Sequence, residues 1–269
     1  MRLAVVQMAS GSILQGNMLE AEKLIKAAVD DGADVVVLPE NFGMISANGS
    51  GILQFGELYG DGPLQGFLSE QSARHGIHLF GGTLPIKSEQ SNKIRNTLLV
   101  YNPKGECVSR YDKIHLFDVL LPNGDEQYHE SSIFEPGKEI VIFQIDHIKL
   151  GLAICYDLRF PELFRALADK GADVIVLPAA FTAVTGKAHW HTLIKARAIE
   201  NLCYLAASAQ GGYHVNGRET YGHSLIVDPW GNVIDEIETG SGYAIADINL
   251  SQQQQIRERF PVLSHRKIF

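Results

Sequence analysis

Cys155 and Glu40 carry the side chains of a nucleophile and a general base, and each lies at the end of an apolar segment. Cys155 ends the segment LGLAIC, and Glu40 follows the segment VVVLP. Ligands of open α/β sheets collect at the carboxyl ends of buried strands, so one cleft could contain both residues. A thiol reacts as its thiolate and needs a neighbouring base or cation. The pattern indicates cysteine chemistry, although a lone cysteine in an apolar strand is more often a small buried apolar residue.

Lys113 and Glu130 are two further charged candidates. Lys113 lies in the amphiphilic stretch RYDKIHLFD, and Glu130 lies in YHESSIFEPG. A partly buried lysine could stabilise a developing oxyanion, whereas an exposed lysine on an edge strand would only protect that edge. Taken one at a time, both residues are more typical of solvated surface positions, so both interpretations stay open at this point.

Metal-dependent and cofactor-dependent chemistry finds little support in the sequence. His189 and His191 form a His-x-His pair, but residues two positions apart on a helix point to different faces, so they are not expected to share a metal ion. A zinc hydrolase that uses these histidines with Cys203 is kept as an alternative. The segment FGGTLP lacks the glycine spacing of a dinucleotide- or phosphate-binding loop, which disfavours a nicotinamide oxidoreductase.

Composition restricts the partners of the 269-residue chain. The net charge of −8 and the pI near 5.7 argue against a nucleic-acid-binding surface. No apolar run approaches the roughly 20 residues that span a bilayer, and the start MRLAVVQMAS lacks the pattern of a signal peptide. The three cysteines are far apart in sequence, which fits a reducing compartment. We expect a cytoplasmic protein that binds a small molecule and neither nucleic acid nor membrane.

A repeat in the sequence predicts how the candidate residues are positioned. Residues 31–42, DGADVVVLPENF, and residues 170–181, KGADVIVLPAAF, share Gly-Ala-Asp, an apolar run, Leu-Pro and a final Phe. The first copy carries Glu40 where the second carries Ala179. We therefore expect the second copy to supply only wall and backbone to the site, while Cys155, one strand earlier, supplies the reactive atom.

Each copy of the repeat completes a predicted β-α-β unit. In the first half, a strand over residues 2–8 precedes a helix that is opened by a capping box at Asn17 and Glu20. In the second half, a strand over residues 148–155 precedes a helix that starts at Pro161. Two pseudo-symmetric halves of this kind indicate a pair of packed sheets.

The remaining patterns complete the predicted fold. A helix is expected over residues 187–202, a hairpin turn at NPKG, and further strands over residues 77–82, 96–101, 203–209, 222–228, 233–237 and 242–247. No low-complexity linker interrupts the chain, so residues 1–269 are interpreted as one domain. The predicted architecture is α/β, a four-layer α-β-β-α sandwich with mixed sheets. A single doubly wound sheet is the alternative.

Taken together, these residues resemble the nitrilase superfamily of carbon–nitrogen hydrolases. The matching blocks are LPENF with Glu40, RYDKIHLFD with Lys113 and GLAICYDLRFPEL with Cys155, in the family's order, and ESSIFEPG places Glu130 at the position of a second glutamate. The resemblance continues to the tail PVLSHRK and so covers nearly the whole chain. It implies the sandwich fold and a cofactor-free cysteine hydrolase.

The resemblance also implies a role for each residue. Glu40 would act as general base and acid, Cys155 as nucleophile, and Lys113 with the backbone N–H of Tyr156 as oxyanion donors, while Glu130 would orient the lysine. The intermediate would be a thioester. A noncatalytic scaffold is a further alternative, but such proteins would have lost the cysteine or the glutamate, and here both are present.

The substrate expected from the resemblance is a small amide that carries a carboxylate. Details such as CYDLRFPEL and the Tyr-Gly-His-Ser run are most similar to the Nit amidase branch and, within it, to enzymes of deaminated glutathione. Enzymes of ω-amides such as 2-oxoglutaramate or 2-oxosuccinamate are the alternative, which the long acidic insert LLPNGDEQYHES disfavours. Arg159 is expected to bind the substrate carboxylate, unless it pairs with Asp157 or Glu162, and Thr182 is expected to donate a hydroxyl to the same group.

The resemblance further implies a homodimer or larger homo-oligomer. Ile194 and Ala198 give helix 187–202 an apolar stripe, and we expect this helix and the C-terminal tail to lie at the interface; packing within the monomer core is the alternative. The glycine-rich stretch 41–62 is expected to form a lid or pocket rim, or else an ordinary surface loop.

Overall fold

The computed structural model describes residues 1–46, 49–89, 91–121, 127–215 and 217–268. The helices in these ranges are α1 (Leu14–Asp30), α2 (Pro63–His75), α3 (Pro161–Asp169), α4 (Ala183–Asn201) and α5 (Leu250–Arg259). The strands are β1 (Arg2–Gln7), β2 (Val35–Val37), β3 (His78–Phe80), β4 (Leu84–Lys87), β5 (Ile94–Tyr101), β6 (Cys107–Asp112), β7 (Asp118–Leu120), β8 (Gln127–His129), β9 (Ile142–Ile145), β10 (Ile148–Leu152), β11 (Val174–Ala179), β12 (Tyr204–Ala209), β13 (Gly211–Tyr213), β14 (Glu219–Tyr221), β15 (Ser224–Val227), β16 (Val233–Ile237) and β17 (Gly242–Asp247). None of the described helices is long and apolar enough to cross a bilayer.

The strands form two large mixed sheets. The first has the order β17-β1-β2-β3-β5-β4, with β6 beside β5, and the second has the order β16-β15-β12-β11-β10-β9. The central strands run parallel in both sheets, β1-β2-β3 in the first and β10-β11-β12 in the second. Antiparallel strands flank them. The parallel centres follow from β-α-β connections, because parallel neighbours need a crossover.

The two halves of the repeat have the same local structure. Asp34 accepts the backbone N–H of Arg2 at 2.7 Å, and Asp173 accepts that of Lys149 at 3.0 Å. In each half the N–H of the aspartate donates back to the carbonyl of the same partner at 2.8 Å. The glycine of each Gly-Ala-Asp motif has a φ of +87°, a conformation that favours glycine. The motif therefore anchors the strand after each helix to the strand before it, which confirms the predicted pseudo-symmetric halves.

The core shows four layers. Facing side chains of the two sheets pack in one cluster that includes Leu3, Val5, Val35, Val37, Leu150, Leu152, Val174 and Val176. Because side chains alternate along a strand, the intervening residues face outward. Those of the first sheet pack against α1 and α2 through Ala21, Leu24, Ile25, Leu64 and Leu68, and α3 and α4 pack against the second sheet through Leu163, Phe164, Trp190, Ile194 and Ala198. The predicted α-β-β-α sandwich is confirmed.

The predicted start of the first helix is wrong. α1 begins at Leu14, three residues before Asn17, and Asn17 lies buried inside the helix. Its side-chain amide bonds the backbone N–H and carbonyl of Gly11 at 2.9 Å each, and donates to the carbonyl of Gly43 at 2.8 Å. These tertiary partners, rather than a local capping box, determine the role of this asparagine.

Other predicted boundaries also differ from the structure, and two of them lie beside the cavity described below. β10 ends at Leu152, and Cys155 opens a short 3₁₀ turn instead of ending the strand. α4 begins at Ala183 rather than at residue 187, because the Thr182 hydroxyl caps it by accepting the N–H of Thr185 at 3.2 Å. α2, which has a weak apolar pattern, was absent from the predicted elements.

Candidate active site

A cavity of about 370 Å³ contains every residue that the sequence singled out for catalysis or substrate binding. Its lining includes Glu40, Lys113, Glu130, Cys155, Tyr156, Arg159 and Thr182. The residues come from different strand ends and loops of both sheets, so the packing of the two halves brings them together.

Lys113 lies between the two glutamates at the base of this cavity. Its Nζ is 3.1 Å from Oε1 of Glu40 and 2.9 Å from each carboxylate oxygen of Glu130. The lysine is 2% exposed and Glu40 is 4% exposed. Burial alone would lower the pKa of Lys113, but the Glu130 and Glu40 carboxylates raise it above its usual value, so the ammonium stays charged. The interpretation of Lys113 as an exposed edge-strand lysine is therefore wrong.

Cys155 occupies a strained turn beside Glu40. Its φ is +47°, which is uncommon for a residue other than glycine and is often found at functional sites. The thiol lies in the same cavity as the Glu40 carboxylate and Ala180, and both act on its ionisation. Burial and the negative charge of Glu40 raise the pKa of Cys155 well above its usual value. The resting thiol is therefore protonated, next to a carboxylate that can accept the proton.

Asp157 fixes the turn that carries the cysteine. This fully buried carboxylate accepts the Tyr111 hydroxyl at 2.6 Å, the Ile154 N–H at 2.9 Å and the His115 N–H at 3.0 Å, and one of its oxygens is 2.7 Å from Nδ1 of His115. Tyr111 and His115 flank the lysine in sequence. The aspartate thus ties the Cys155 turn to the segment that carries Lys113, an arrangement that the sequence analysis missed.

Asn96 is a second residue that the sequence analysis missed. Its Nδ2 donates to Oε1 of Glu40 at 2.9 Å and lies 3.4 Å from Oε1 of Glu130. The amide therefore orients both carboxylates from near the start of β5. A weak signal was available, because asparagine is depleted in strands and Asn96 lies in the strand sequence IRNTLLVY.

The second copy of the repeat contributes backbone to the site. Ala180 and Phe181 line the cavity, and the Ala180 backbone acts on the ionisation of the Cys155 thiol. Gln210, which follows β12, donates its N–H to the carbonyl of Ala179 at 2.9 Å and its side-chain amide to the carbonyl of Glu40 at 3.0 Å. The glutamine thus joins the two copies next to Glu40 and Cys155.

Arg159 lies at the mouth of the cavity. Its guanidinium lies 5.2 Å from the Phe181 ring centroid and 5.8 Å from that of Tyr156, and its Nη1 is 3.2 Å from Nδ1 of His189. Asp157 is engaged by other donors, and Arg159 makes no ion pair with a carboxylate in the described part of the chain. The guanidinium fork can therefore meet a carboxylate from outside.

Thr182 lines the cavity but already uses its hydroxyl. Besides capping α4, its Oγ1 is 2.9 Å from Oγ1 of Thr185, which also lines the cavity.

Arg218 is a lining residue that the sequence analysis did not consider. It donates to the carbonyl of Ala180, and its guanidinium lies 5.4 Å from the Tyr128 ring centroid. Two guanidinium groups therefore line one cavity.

The stretch 41–62 contributes to the rim. Met44, Ile45, Ser46 and Ile52 line the cavity, and a 3₁₀ turn covers Gly49–Phe55. Residues 47–48 of this stretch lie outside the described residues, as do residues 122–126 of the acidic insert. The part of the insert that is described includes Gln127 and Tyr128, which also line the cavity.

The residues of the zinc-hydrolase alternative do not come together. His189 contacts Arg159, whereas Nε2 of His191 lies 2.8 Å from Glu236. The thiol of Cys203 is buried and donates to the carbonyl of Ala172 at 3.0 Å. The predicted separation of the two histidines on α4 is confirmed.

Comparisons with known proteins agree with this geometry. The model of the carbon-nitrogen hydrolase family matches residues 2–258. The chain is 41% identical to a deaminated glutathione amidase from Synechocystis over 98% of this chain and 97% of that protein. It is 37% identical to an omega-amidase from Danio rerio over 99% of this chain and 94% of that protein. The crystal structure of the C. elegans NitFhit protein superposes with a TM-score of 0.91 at 37% identity and covers 99% of this chain, which spans 65% of the NitFhit chain.

Proposed function

Because the chain belongs to the carbon–nitrogen hydrolase family, we propose that it is an amidase that cleaves a small carboxylated amide through a thioester on Cys155. The observation that supports this proposal most strongly is that the Cys155 thiol lies in the same cavity as the Glu40 carboxylate, which Lys113 touches. These are the nucleophile, the base and the cation that acyl transfer requires.

The electrostatics of the site suit a proton transfer from Cys155 to Glu40. Two carboxylates and one ammonium leave the resting cluster with one net negative charge, which opposes ionisation of the thiol. When the proton moves to Glu40, this net charge does not change, and Lys113 lies beside the newly neutral acid. The thiolate then attacks the amide carbonyl carbon, and its S–C bond forms as the carbonyl oxygen becomes an oxyanion.

The remaining steps return the site to its starting state. Lys113 and the Tyr156 N–H stabilise the oxyanion. The C–N bond breaks as Glu40 returns its proton to the leaving nitrogen, which leaves a thioester on Cys155. Glu40 then takes a proton from a water molecule, and the resulting hydroxide forms a C–O bond to the acyl carbon. The C–S bond breaks, and the thiolate takes the proton back from Glu40. Glu130 positions Lys113, since it accepts from the ammonium and from the Phe117 N–H at 2.6 Å.

We propose deaminated glutathione as the substrate that fits this cavity best. It carries one carboxylate beside its keto group and a second at its glycine end, whereas 2-oxoglutaramate carries only one. The cavity presents two guanidinium groups, Arg159 and Arg218, and each can bind a carboxylate by its planar fork. The names of the relatives support the same assignment and keep omega-amidase activity as the second candidate.

The product 2-oxoglutarate offers one assay for both candidates, since hydrolysis of either substrate at its scissile amide releases it. Ammonia is formed only from the primary amide of 2-oxoglutaramate. We expect purified enzyme to form 2-oxoglutarate from both compounds, with a higher kcat/KM for deaminated glutathione. A higher value for 2-oxoglutaramate would assign the chain to omega-amidase. No product from either compound or from other amides would support the scaffold alternative.

Arg159 provides a prediction about substrate recognition. Arg159→Lys is expected to raise KM for carboxylated amides by at least about tenfold, because a lysine keeps the charge but loses the bidentate fork. KM for a neutral amide of similar size should change much less. Steady-state kinetics on the paired substrates measure the effect. An equal change for charged and neutral amides would make Arg159 a structural residue.

Arg218→Lys is the matched comparison for this prediction. The same chemical change at the second guanidinium should raise KM for deaminated glutathione and leave KM for 2-oxoglutaramate nearly unchanged, because the latter lacks a second carboxylate.

We also propose that the protein is a homodimer or larger oligomer in the cytoplasm, although the argument from Ile194 and Ala198 is wrong. Both residues are fully buried in the monomer core. The surface beside them still carries apolar side chains: Ile199 is 44% exposed, Trp230 is 55% exposed and Phe260 is 46% exposed. Ile199 lies against Gly231, and the Trp230 and Phe260 rings are 5.4 Å apart, so the three form one patch.

Light scattering at micromolar concentration checks this assignment. The wild-type chain should have at least twice its monomer mass of 29.6 kDa. Replacement of Trp230 and Ile199 by serine should shift it toward monomer, since each change removes about 1.5–3 kcal/mol of apolar burial per interface copy if the side chain is fully covered. A monomeric wild-type protein would remove the proposal.

A further inference from the structure

A cluster of two histidines and a glutamate lies outside the cavity that contains Cys155. Nε2 of His191 is 2.8 Å from Oε1 of Glu236, and Nδ1 of His223 is 2.7 Å from the same oxygen. The three ligand atoms lie within 4.8 Å of one another. The side chains are partly buried, with exposures of 33% for His191, 19% for His223 and 21% for Glu236. None of the three lines the catalytic cavity.

Three separate elements hold the cluster in place. His191 lies on α4, His223 lies directly before β15, and Glu236 lies on β16, where its backbone pairs with Leu225. The His223 ring stacks on Tyr221 with centroids 4.2 Å apart. The carbonyl of His223 accepts the indole N–H of Trp190 at 2.8 Å. The ring and the backbone of His223 are therefore both fixed before any ligand binds.

The approach of Tyr221 to α4 depends on a glycine. A Cβ at Gly186 would lie 2.2 Å from Cβ of Tyr221, so only glycine lets this aromatic residue pack against the helix. The ring of His191 lies edge-on to that of Tyr221, with centroids 6.0 Å apart. The centroids of the His191 and His223 rings are 5.1 Å apart. The packing thus orients both imidazoles toward one carboxylate.

The donor set and its geometry suit a transition metal. Two imidazole nitrogens and one carboxylate oxygen are a common protein ligand set for zinc, with a fourth position left for water. Nitrogen and oxygen ligands stand at about 2.0–2.2 Å from zinc, which separates them by roughly 3.3 Å in a tetrahedron. The two observed separations of 2.7 and 2.8 Å are shorter. Side-chain rotations that move the ligand atoms apart by roughly half an ångström would make room for the ion.

We propose that His191, His223 and Glu236 form a binding site for a divalent transition metal, with Zn²⁺ as the ion that the ligand set fits best. The site lies outside the cavity of the proposed amidase chemistry. It also differs from the His189, His191 and Cys203 set, since it takes its second imidazole from the segment before β15. A bound ion would link α4 to β16 and stabilise the folded chain, because the unfolded chain cannot present the three ligands together.

Cobalt and zinc titrations of the chelator-treated full chain test the site. We expect one Zn²⁺ per chain by calorimetry. Co²⁺ should give visible d–d bands without the near-ultraviolet charge transfer of a thiolate ligand. Affinity should fall in acid, because protons compete with the ion for the imidazole nitrogens. A saturating ion should raise the midpoint of thermal unfolding.

Variants connect these signals to the three residues. Removal of an outer partner of a metal ligand costs about 10–100-fold in affinity. Removal of a ligand itself should cost more, so His191→Gln and His223→Asn should each raise the Kd by more than this range. Asparagine is chosen at position 223 because His223 has a φ of +56°, which asparagine tolerates. The matched control is His147→Gln, which removes an exposed histidine outside the cluster and should leave Kd unchanged. Circular dichroism without metal establishes that each variant is folded.

Three outcomes would overturn the proposal. The wild-type chain could bind no Zn²⁺ at stoichiometric level, in which case the cluster is only a pair of hydrogen bonds to one carboxylate. The metal could bind with thiolate charge transfer, which would assign it to Cys107, Cys155 or Cys203. Binding could also persist unchanged in folded His191→Gln, which would place the ion elsewhere.

Discussion

Replacement of Cys155 by alanine is expected to reduce kcat by roughly 10⁴–10⁶-fold, the range that loss of a nucleophile or its partners costs in serine hydrolases. Alanine keeps the Cβ, so the turn at φ +47° is no more strained than before and the variant should fold. Product formation and thermal unfolding, measured on the same preparation, separate loss of chemistry from loss of structure.

Mass spectrometry adds a direct test of the same assignment. With a slowly hydrolysed amide, wild-type protein should carry an acyl group on the peptide that contains Cys155. Cys107→Ala is the matched control, since Cys107 is exposed on β6 and outside the cavity; this variant should keep wild-type turnover. An acyl group on Cys107 or Cys203 would refute the proposed nucleophile.

Glu40→Gln is expected to lower kcat/KM by at least about 10²–10⁴-fold, the contribution of general acid–base catalysis. The amide cannot accept the thiol proton or return it to the leaving nitrogen. The substitution also removes one of the two negative charges beside Lys113, so the decrease in kcat/KM could exceed this range. Steady-state kinetics over a series of pH values measure the effect.

Two control substitutions show whether the effect is specific to Glu40. Glu130→Gln removes the other carboxylate from Lys113 but not the carboxylate that acts on the thiol, so its cost should be smaller than that of Glu40→Gln. Glu139→Gln makes the same chemical change at an exposed position and should be neutral. Near-wild-type turnover of Glu40→Gln would show that another group moves the proton.

Much of the candidate site could be predicted because its signals are local. Glu40 and Cys155 follow apolar strands, and the Gly-Ala-Asp motif marks the same turn in both halves. A strand end, a glycine with positive φ and an apolar run depend on neighbouring residues, so the sequence expresses them directly. The roles of these residues stay predictions until the variants are measured.

Side chains whose local pattern fits more than one structural role were harder to interpret. Asn17 fits a capping box by its spacing, but Gly11 and Gly43 supply its hydrogen bonds, and the helix starts three residues earlier. Ile194 and Ala198 form a genuine apolar stripe, but a stripe does not specify whether a sheet or a partner chain covers it. Here the second sheet covers it.

The sequence by itself determined the β-α-β repeats, the sandwich they imply and the types of reactive side chain. Only the tertiary structure decided that Asn96 orients both glutamates, that Asp157 ties the cysteine turn to the lysine segment, and that His223 meets His191 across one carboxylate. The physical reason is that hydrogen bonds and ion pairs act over a few ångströms. Their partners here are 13 to 56 residues apart in the chain, and only the packing of the two sheets and their helices brings them within that range.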